Sequence, residues 1–268
     1  MKLPGDVKRK LPPYIVAGIL LALLALYFGP VLTGGKSLYA RDLFNFHYPL
    51  WSLTANSLRQ LHIPCWNPLS HFGQSVSGNP NYLAFYPLAW IRAVIEPVRA
   101  LNLFIVMHLF LGGLAAYFLL LRWRLGRVPA FFGAAFYCFS GVSLSLTCIL
   151  NLMPYVLLAP ALLLALEIAL SAGSRLRGVV PLALVVAAVW TVFEPIMAAG
   201  LAAISIFRLG SAWKRRSTRL ETIRRLPWIG AALLAGALVA APAVVEGYRL
   251  LGQTLRGEKA ATTDRAYC

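Results

Sequence analysis

The stretch ALNLFIVMHLFLGGLAAYFLLL, residues 100–121, decides the fold. It contains no Asp, Glu, Lys or Arg, and about 20 apolar helical residues are enough to cross a bilayer core about 30 Å thick. We therefore interpret residues 100–121 as a transmembrane helix. The other apolar runs of the chain can be compared with it in length and charge.

The remaining sequence repeats this pattern of long uncharged runs. The hydrophobic fraction is 59% and the charged fraction 13%, whereas a soluble domain is about one quarter charged. Residues 14–32 and 226–245 are each long enough for one span. The uncharged run 128–166 is too long for one helix, and Asn151 and Pro154 divide it into two spans.

Residues 178–207 form the one ambiguous apolar stretch, interrupted by Glu194-Pro195. It allows either one long tilted helix or a hairpin of two shorter ones. A very basic segment, residues 208–225, follows it. Because Lys and Arg are retained on the cytoplasmic side, the hairpin is favoured: it places this segment on the same side of the membrane as the basic N-terminus. The sequence thus predicts an all-α polytopic membrane protein of about seven transmembrane helices, with Glu194 at the outer face.

The formal net charge of +16 does not indicate a nucleic-acid partner. Basic residues between apolar spans are explained by their retention on the cytoplasmic side, and no basic stripe interleaved with aromatics occurs on a soluble module. The expected partner is membrane lipid. The N-terminus is predicted to be cytoplasmic.

The first loop, residues 33–98, is the one large polar element, and the hairpin topology makes it extracytoplasmic. It is rich in Pro, Asn, His and aromatic residues, and long ordered loops tend to be functional. Residues 56–61 and 82–95 are predicted to be short interfacial helices, because Tyr and Trp suit the headgroup level.

Asp42 is the first candidate for chemistry in this loop, and Arg41 precedes it. A carboxylate at the membrane surface can accept a proton from a sugar hydroxyl, and partial desolvation would make it a stronger base. The alternative is a solvated aspartate paired with Arg41.

Glu194 is the second candidate acid, since ionisable residues at membrane depth usually have a partner or a task. The alternative is a turn residue exposed to water. Glu167 lies nearer the inner end of its span, and we expect it to extend to the membrane surface or to pair with Arg175 or Arg177.

The other polar and aromatic loop residues are candidates for binding. Arg41, Arg59, Arg92 and Arg99 could hold a phosphate at the membrane surface, because arginine pairs with phosphate bidentately. Contact with lipid headgroups explains each of them equally well. The histidine spacings match no metal-ligand motif, and the Asn-Pro pairs at Asn67 and Asn79 predict turns. The candidate substrate-binding residues are Arg41, His47, Arg59, Trp66, Asn67, His71, Asn79, Asn81 and Tyr82.

A family resemblance rests on an ordered set of loop motifs. These are DLFNFHYP from Asp42, LRQLHIPCWNP at residues 58–68, GNPN at residues 78–81 and Tyr86-Pro87. Weaker sequence similarities to the same family follow at residues 139–141, 151–160 and 240–242. In this order the motifs resemble the first outer loop of the YfhO-type bacterial membrane proteins, which belong to the wider GT-C class of glycosyltransferases.

This resemblance implies a single GT-C-like transmembrane domain over residues 1–268 in a bacterial plasma (inner) membrane. Family members are generally much longer, which predicts that the chain is the N-terminal part of a larger protein. Two positions depart from the family pattern. Phe46 stands where a polar residue is frequent, and Phe193-Glu194-Pro195 replaces a histidine-bearing turn.

The implied reaction transfers a sugar from a polyprenyl-phosphate donor to an acceptor hydroxyl of a glycan, lipid or protein at the outer face. Asp42 matches the family's general base, and Glu194 is the second acid. An arginine such as Arg41 or Arg59 would neutralise the leaving phosphate. No cofactor is assigned; a divalent cation is compatible with the chemistry, although no DxD-like pair is visible.

Two other readings stay open. The chain could be a non-catalytic membrane protein, such as a lipid or polymer transporter or an assembly partner. Transport predicts polar residues deep within several spans, and few occur besides Glu167 and Glu194. The chain could also be an inactive fragment.

Overall fold

A computed structural model describes residues 12–33, 36–39, 42–69, 73–171, 174–192, 194–214 and 216–251. The chain is mostly helical and has almost no strand over these ranges, which confirms the all-α prediction. The α-helices are α1 (Pro13–Leu32), α2 (Tyr48–Arg59), α3 (Pro97–Arg122), α4 (Arg127–Cys138), α5 (Gly141–Leu146), α6 (Pro154–Ser171), α7 (Arg175–Thr191), α8 (Pro195–Lys214), α9 (Arg216–Val239) and α10 (Ala241–Leu251).

Six helical segments in the described ranges are long and apolar enough to cross a membrane. They are α1, α3, α4 with α5, α6, α8 and residues 219–239 of α9. The seventh predicted span is α7, which has 17 residues and is therefore shorter than the about 20 that a perpendicular crossing needs. The multi-pass membrane character is thus confirmed.

The direction of the helices follows from contacts at the two ends of α6 and α8. Tyr155 at the start of α6 accepts a hydrogen bond from the amide of Glu194, which directly precedes α8. Glu167 near the end of α6 is bonded to Arg208 near the end of α8. Helices α6 and α8 therefore run parallel and α7 returns between them, which is the hairpin that the charge distribution predicts.

The two ends of the bundle differ in composition. We call the end that carries residues 36–96 and Glu194 the loop end. The opposite end is the basic end, where Trp123 donates a hydrogen bond of 2.9 Å from Nε1 to Glu167. The partner predicted for Glu167 was wrong: Arg208 binds it, rather than Arg175 or Arg177. Because α6 and α8 are parallel, Arg208 lies at the same depth in the bundle as Glu167. The separation of the two residues in the sequence does not reveal that they are close in space.

Helix α3 is the centre of the core, because it packs against α1, α4 and α6. Gly112 allows the closest approach: a Cβ atom there would lie 2.5 Å from the carbonyl oxygen of Val156 in α6. Small residues bring membrane helices together in this way. Near its start, the buried Asn102 donates from Nδ2 to the carbonyls of Val31 and Lys36, at 3.1 and 3.2 Å. The chain leaving α1 is thereby fixed to α3.

The loop between α1 and α3 is folded rather than extended. Its segments are a π-helical turn at Leu43–His47, α2, an antiparallel pair of two-residue strands and 3₁₀ helices at Pro80–Tyr82 and Pro87–Ala93. The strands are β1 (Trp66–Asn67) and β2 (Gln74–Ser75). The helix predicted at 56–61 is the end of a longer one. The helix predicted at 82–95 is replaced by 3₁₀ turns, and Pro87, which begins the second of them, interrupts this stretch.

Candidate functional site

Asp42 directly precedes the π-helical turn, and its side chain is exposed. The carboxylate does not cap the turn. The sequence predicts partial desolvation, whereas the structure leaves this side chain in contact with solvent. Arg41, its predicted partner, lies outside the described residues. Single π-helical turns are frequent at functional sites, and this one begins one residue after the candidate base.

His47 ends the same turn and is buried, with 2% of its surface exposed. Its Nε2 accepts a hydrogen bond of 3.3 Å from the amide of Leu150, so Nδ1 carries the proton of the neutral ring. Burial lowers the pKa of His47 to about 4, against the opposing effect of the Asp42 charge. His47 is therefore neutral at pH 7. It joins the turn that carries Asp42 to the chain entering α6.

Glu194 lies in the turn between α7 and α8 and is partly buried. Its amide is held at 3.1 Å from the phenol oxygen of Tyr155. Tyr155 is five residues after Leu150, the residue that binds His47. Asp42 and Glu194 consequently occupy the same end of the bundle, as the predicted topology requires. Phe193 lies outside the described residues.

Tyr82 holds the centre of the folded loop and is completely buried. Its hydroxyl oxygen accepts hydrogen bonds from Asn67 Nδ2 at 2.8 Å and from Gln74 Nε2 at 2.9 Å. These bonds fasten the strand pair to the 3₁₀ helix. Tyr82 and Asn67, both predicted to bind substrate, are thus placed inside the loop rather than on its surface.

Arg92 anchors this loop from the inside, and none of its surface is exposed. Its guanidinium donates to the carbonyls of Tyr82 and Leu83 at 2.7 and 3.5 Å and lies 5.0 Å from the ring centre of Trp51. Burial lowers its pKa to about 9. Sequence reasoning grouped Arg92 with arginines that could hold phosphate at the membrane surface, but its burial gives it a structural role.

The predicted Asn-Pro turns are confirmed. Asn79 Oδ1 accepts hydrogen bonds of 3.0 Å from both the amide and the side chain of Asn81. Asn67 Oδ1 likewise accepts from the amide of Leu69 at 2.8 Å. In both cases an asparagine side chain bridges the following proline and closes a turn.

Two predicted binding residues remain on the loop surface. Trp66 is 58% exposed, and one edge of its ring packs on Gly73, whose φ of 106° suits a residue without a Cβ atom. Arg59 is exposed and donates to the carbonyl of Ala93 at 3.2 Å and to Asn56 Oδ1 at 3.1 Å. With Asp42, these two are the exposed candidates among the residues that the structure describes. His71 lies outside the described residues.

A buried polar cluster beneath the loop was not found from the sequence. His108 in α3 donates from Nδ1 to the carbonyl of Phe104 at 2.6 Å and accepts at Nε2 from the Tyr86 hydroxyl at 2.8 Å. Burial raises the pKa of Tyr86. A histidine within an apolar span is the signal that could have indicated this link between the loop and α3.

Among the described residues, no group of three or more His, Cys, Asp or Glu side chains could hold a metal ion. Comparison of the chain with protein-family models, with curated proteins and with solved structures gives no match. The resemblance to YfhO-type proteins therefore stays a prediction that rests on the loop motifs.

Proposed function

We propose that this protein is a membrane glycosyltransferase of the GT-C type, with Asp42 as general base. It would transfer a sugar from a polyprenyl-phosphate donor to an acceptor hydroxyl of a glycan, lipid or protein. The observation that carries the proposal is the exposed Asp42 carboxylate on a folded, anchored loop, at the end of the bundle that also holds Glu194. In this proposal the loop end faces outwards from a bacterial plasma membrane.

The chemistry assigned to Asp42 is proton removal. Its carboxylate takes the proton of the acceptor hydroxyl as that oxygen attacks the anomeric carbon. The bond from that carbon to the phosphate oxygen breaks, and the polyprenyl phosphate leaves with the electron pair. Arg59 is exposed in the same loop, and it is assigned the role of stabilising the charge on the leaving phosphate. Glu194 is assigned the role of second acid.

The fold supports this role by holding the loop rigidly. Arg92 and Tyr82 fix the interior of the loop, Asn102 fixes its first residues to α3, and His47 fixes the turn after Asp42. A catalytic group held by buried hydrogen bonds keeps its position relative to a substrate, and such positioning contributes to rate.

The test is sugar transfer in proteoliposomes supplied with polyprenyl-phosphate sugars and a panel of acceptors. Asp42→Asn keeps the shape of the side chain and removes the base, so transfer should fall by about 10²–10⁴-fold. Asn45→Ala is a matched control, because Asn45 is exposed on the same π-helical turn. Equal rates for the wild-type protein and Asp42→Asn would reject Asp42 as the base.

The non-catalytic alternative predicts polar groups along a path through several spans. Helix α3 does contain the buried residues Asn102 and His108. Both are hydrogen-bonded to protein groups that tie α3 to α1 or to the loop, which favours a structural role for them. Lipid movement in vesicles that proceeds without any sugar donor would favour the transporter.

A further inference from the structure

A groove opens between α3 and α6 at the basic end of the bundle. It is lined by Phe118, Leu121 and Arg122 of α3 and by Leu164 and Ile168 of α6, and its volume is about 340 Å³. This volume is within the range of about 300–1,000 Å³ that small-molecule sites occupy. All its lining side chains except Arg122 are apolar, so the groove suits a hydrocarbon chain.

The groove has a direction relative to the membrane. Arg122 is the last residue of α3, while Phe118 lies about one helical turn closer to the middle of the bundle. On α6, Leu164 is likewise one turn closer to the middle than Ile168. The charge therefore stands at the rim and the apolar lining extends inwards. A phospholipid has the same order, with its phosphate at the interface and its acyl chains inside.

The nearest acid, Glu167, offsets only part of the positive charge at the rim. Glu167 faces this region, but it accepts hydrogen bonds from Arg208 Nη2 at 2.8 Å and from Trp123 Nε1 at 2.9 Å. Its charge is therefore compensated mainly by the hydrogen-bonded Arg208, while Arg122 interacts with it electrostatically without a hydrogen bond. Arg122 is exposed, and Arg124 follows it in the connection to α4. The rim consequently carries surplus positive charge, which complements an anionic headgroup.

We propose that this groove binds one anionic membrane phospholipid. The phosphate lies against Arg122, and an acyl chain runs along Phe118 and Leu164. Because the groove is at the opposite end of the bundle from Asp42, this proposal does not depend on the glycosyltransferase assignment.

The probe is an equimolar mixture of phosphatidylglycerol and phosphatidylcholine in nanodiscs, with the lipid retained on the purified protein measured by native mass spectrometry. The wild-type protein should retain phosphatidylglycerol in preference. Arg122→Gln should lower that preference about fivefold, and Arg122→Lys should keep most of it. The matched control is Arg177→Gln, since Arg177 is exposed at the same end but does not line the groove.

A second variant tests the cavity itself. Leu164→Trp should fill the groove and reduce the retention of both lipids while Arg122 stays in place, and unchanged thermal unfolding would show that the variant is folded. Equal retention of the two lipids by the wild-type protein would overturn the proposal. The same holds if Arg122→Gln and Arg177→Gln lower the preference equally, because a diffuse surface charge then suffices.

Discussion

The amide of Glu194 donates a hydrogen bond of 3.1 Å to the phenol oxygen of Tyr155, although 39 positions separate them in the chain. This bond joins the start of α8 to the start of α6. Since Arg208 and Glu167 join the other ends of the same two helices, the chain must reverse between Thr191 and Pro195. The reversal brings Glu194 to the end of the bundle where Asp42 lies.

The first prediction concerns the ion pair at the basic end. Glu167→Gln should destabilise the protein, because Arg208 is then left partly buried without its carboxylate. In a double-mutant cycle with Arg208→Gln, we expect a coupling free energy of about 1–3 kcal/mol from thermal unfolding in detergent. Repeating the cycle with Arg177→Gln in place of Arg208→Gln should give a coupling near zero. A larger coupling free energy between Glu167 and Arg177 than between Glu167 and Arg208 would instead support the pairing predicted from the sequence.

The second prediction concerns acid stability and His47. The folded protein holds this ring neutral with a pKa of about 4, whereas the unfolded chain takes up a proton below about pH 6.5. Stability from this group is therefore complete above pH 6.5 and is lost as the pH falls towards 4. The loss amounts to about 3 kcal/mol at most.

The variant that isolates this effect is His47→Gln, whose amide oxygen can still accept from Leu150 but does not titrate. Thermal unfolding at pH 7 and pH 4.5 should show a smaller acid-induced decrease in Tm for His47→Gln than for the wild-type protein. His62→Gln serves as the control, since His62 is exposed in the same loop. If His62→Gln and His47→Gln reduce the acid sensitivity equally, burial of His47 is not its cause.

The spans, the hairpin and the Asn-Pro turns could be predicted from the sequence, because each depends on local properties. Uncharged length decides a span, and the distribution of Lys and Arg orients it. Asparagine before proline closes a turn through its own side chain, as at Asn79. The shared end of Asp42 and Glu194 followed from topology alone.

The interior of the loop could not be predicted, because it depends on contacts between residues that are distant in the chain. Arg92 looked like a surface cation, yet it is enclosed by Trp51 and by the carbonyls of the turn at Tyr82. Glu167 is bonded to an arginine 41 residues away rather than to a neighbouring one. Sequence patterns report which side chains are polar; tertiary packing decides which of them are buried.

The third prediction concerns the contact between α10 and the loop. A Cβ atom on Gly78 would lie 2.4 Å from the carbonyl oxygen of Glu246, and Glu246 also accepts a hydrogen bond of 3.1 Å from Ser77. Gly78→Ala should therefore displace α10, because backbone atoms cannot yield as a flexible side chain can. Hydrogen exchange of residues 241–251 should accelerate by roughly tenfold or more.

Gly141→Ala is the control for this substitution, since a Cβ atom there would meet nothing within 4 Å. Its exchange rates in α10 should equal those of the wild-type protein. Ser77→Ala removes only the hydrogen bond and should give a smaller acceleration than Gly78→Ala. Unchanged exchange in Gly78→Ala would show that α10 does not pack on the loop.

The fourth prediction assigns the loop end to the outer face of the membrane. Cys65 is exposed in the loop, Cys138 is buried in α4, and Cys148 is partly exposed close to Leu150, which binds His47 of the loop. A membrane-impermeant maleimide should therefore label Cys65 selectively in intact cells that express a Cys148→Ser, Cys268→Ser background. Replacing Cys65 with serine and Arg177 with cysteine moves the exposed thiol to the basic end. That variant should stay unlabelled in intact cells and react in inverted vesicles. The reverse pattern would place Asp42 on the cytoplasmic side, where a donor delivered to the outer face could not reach it.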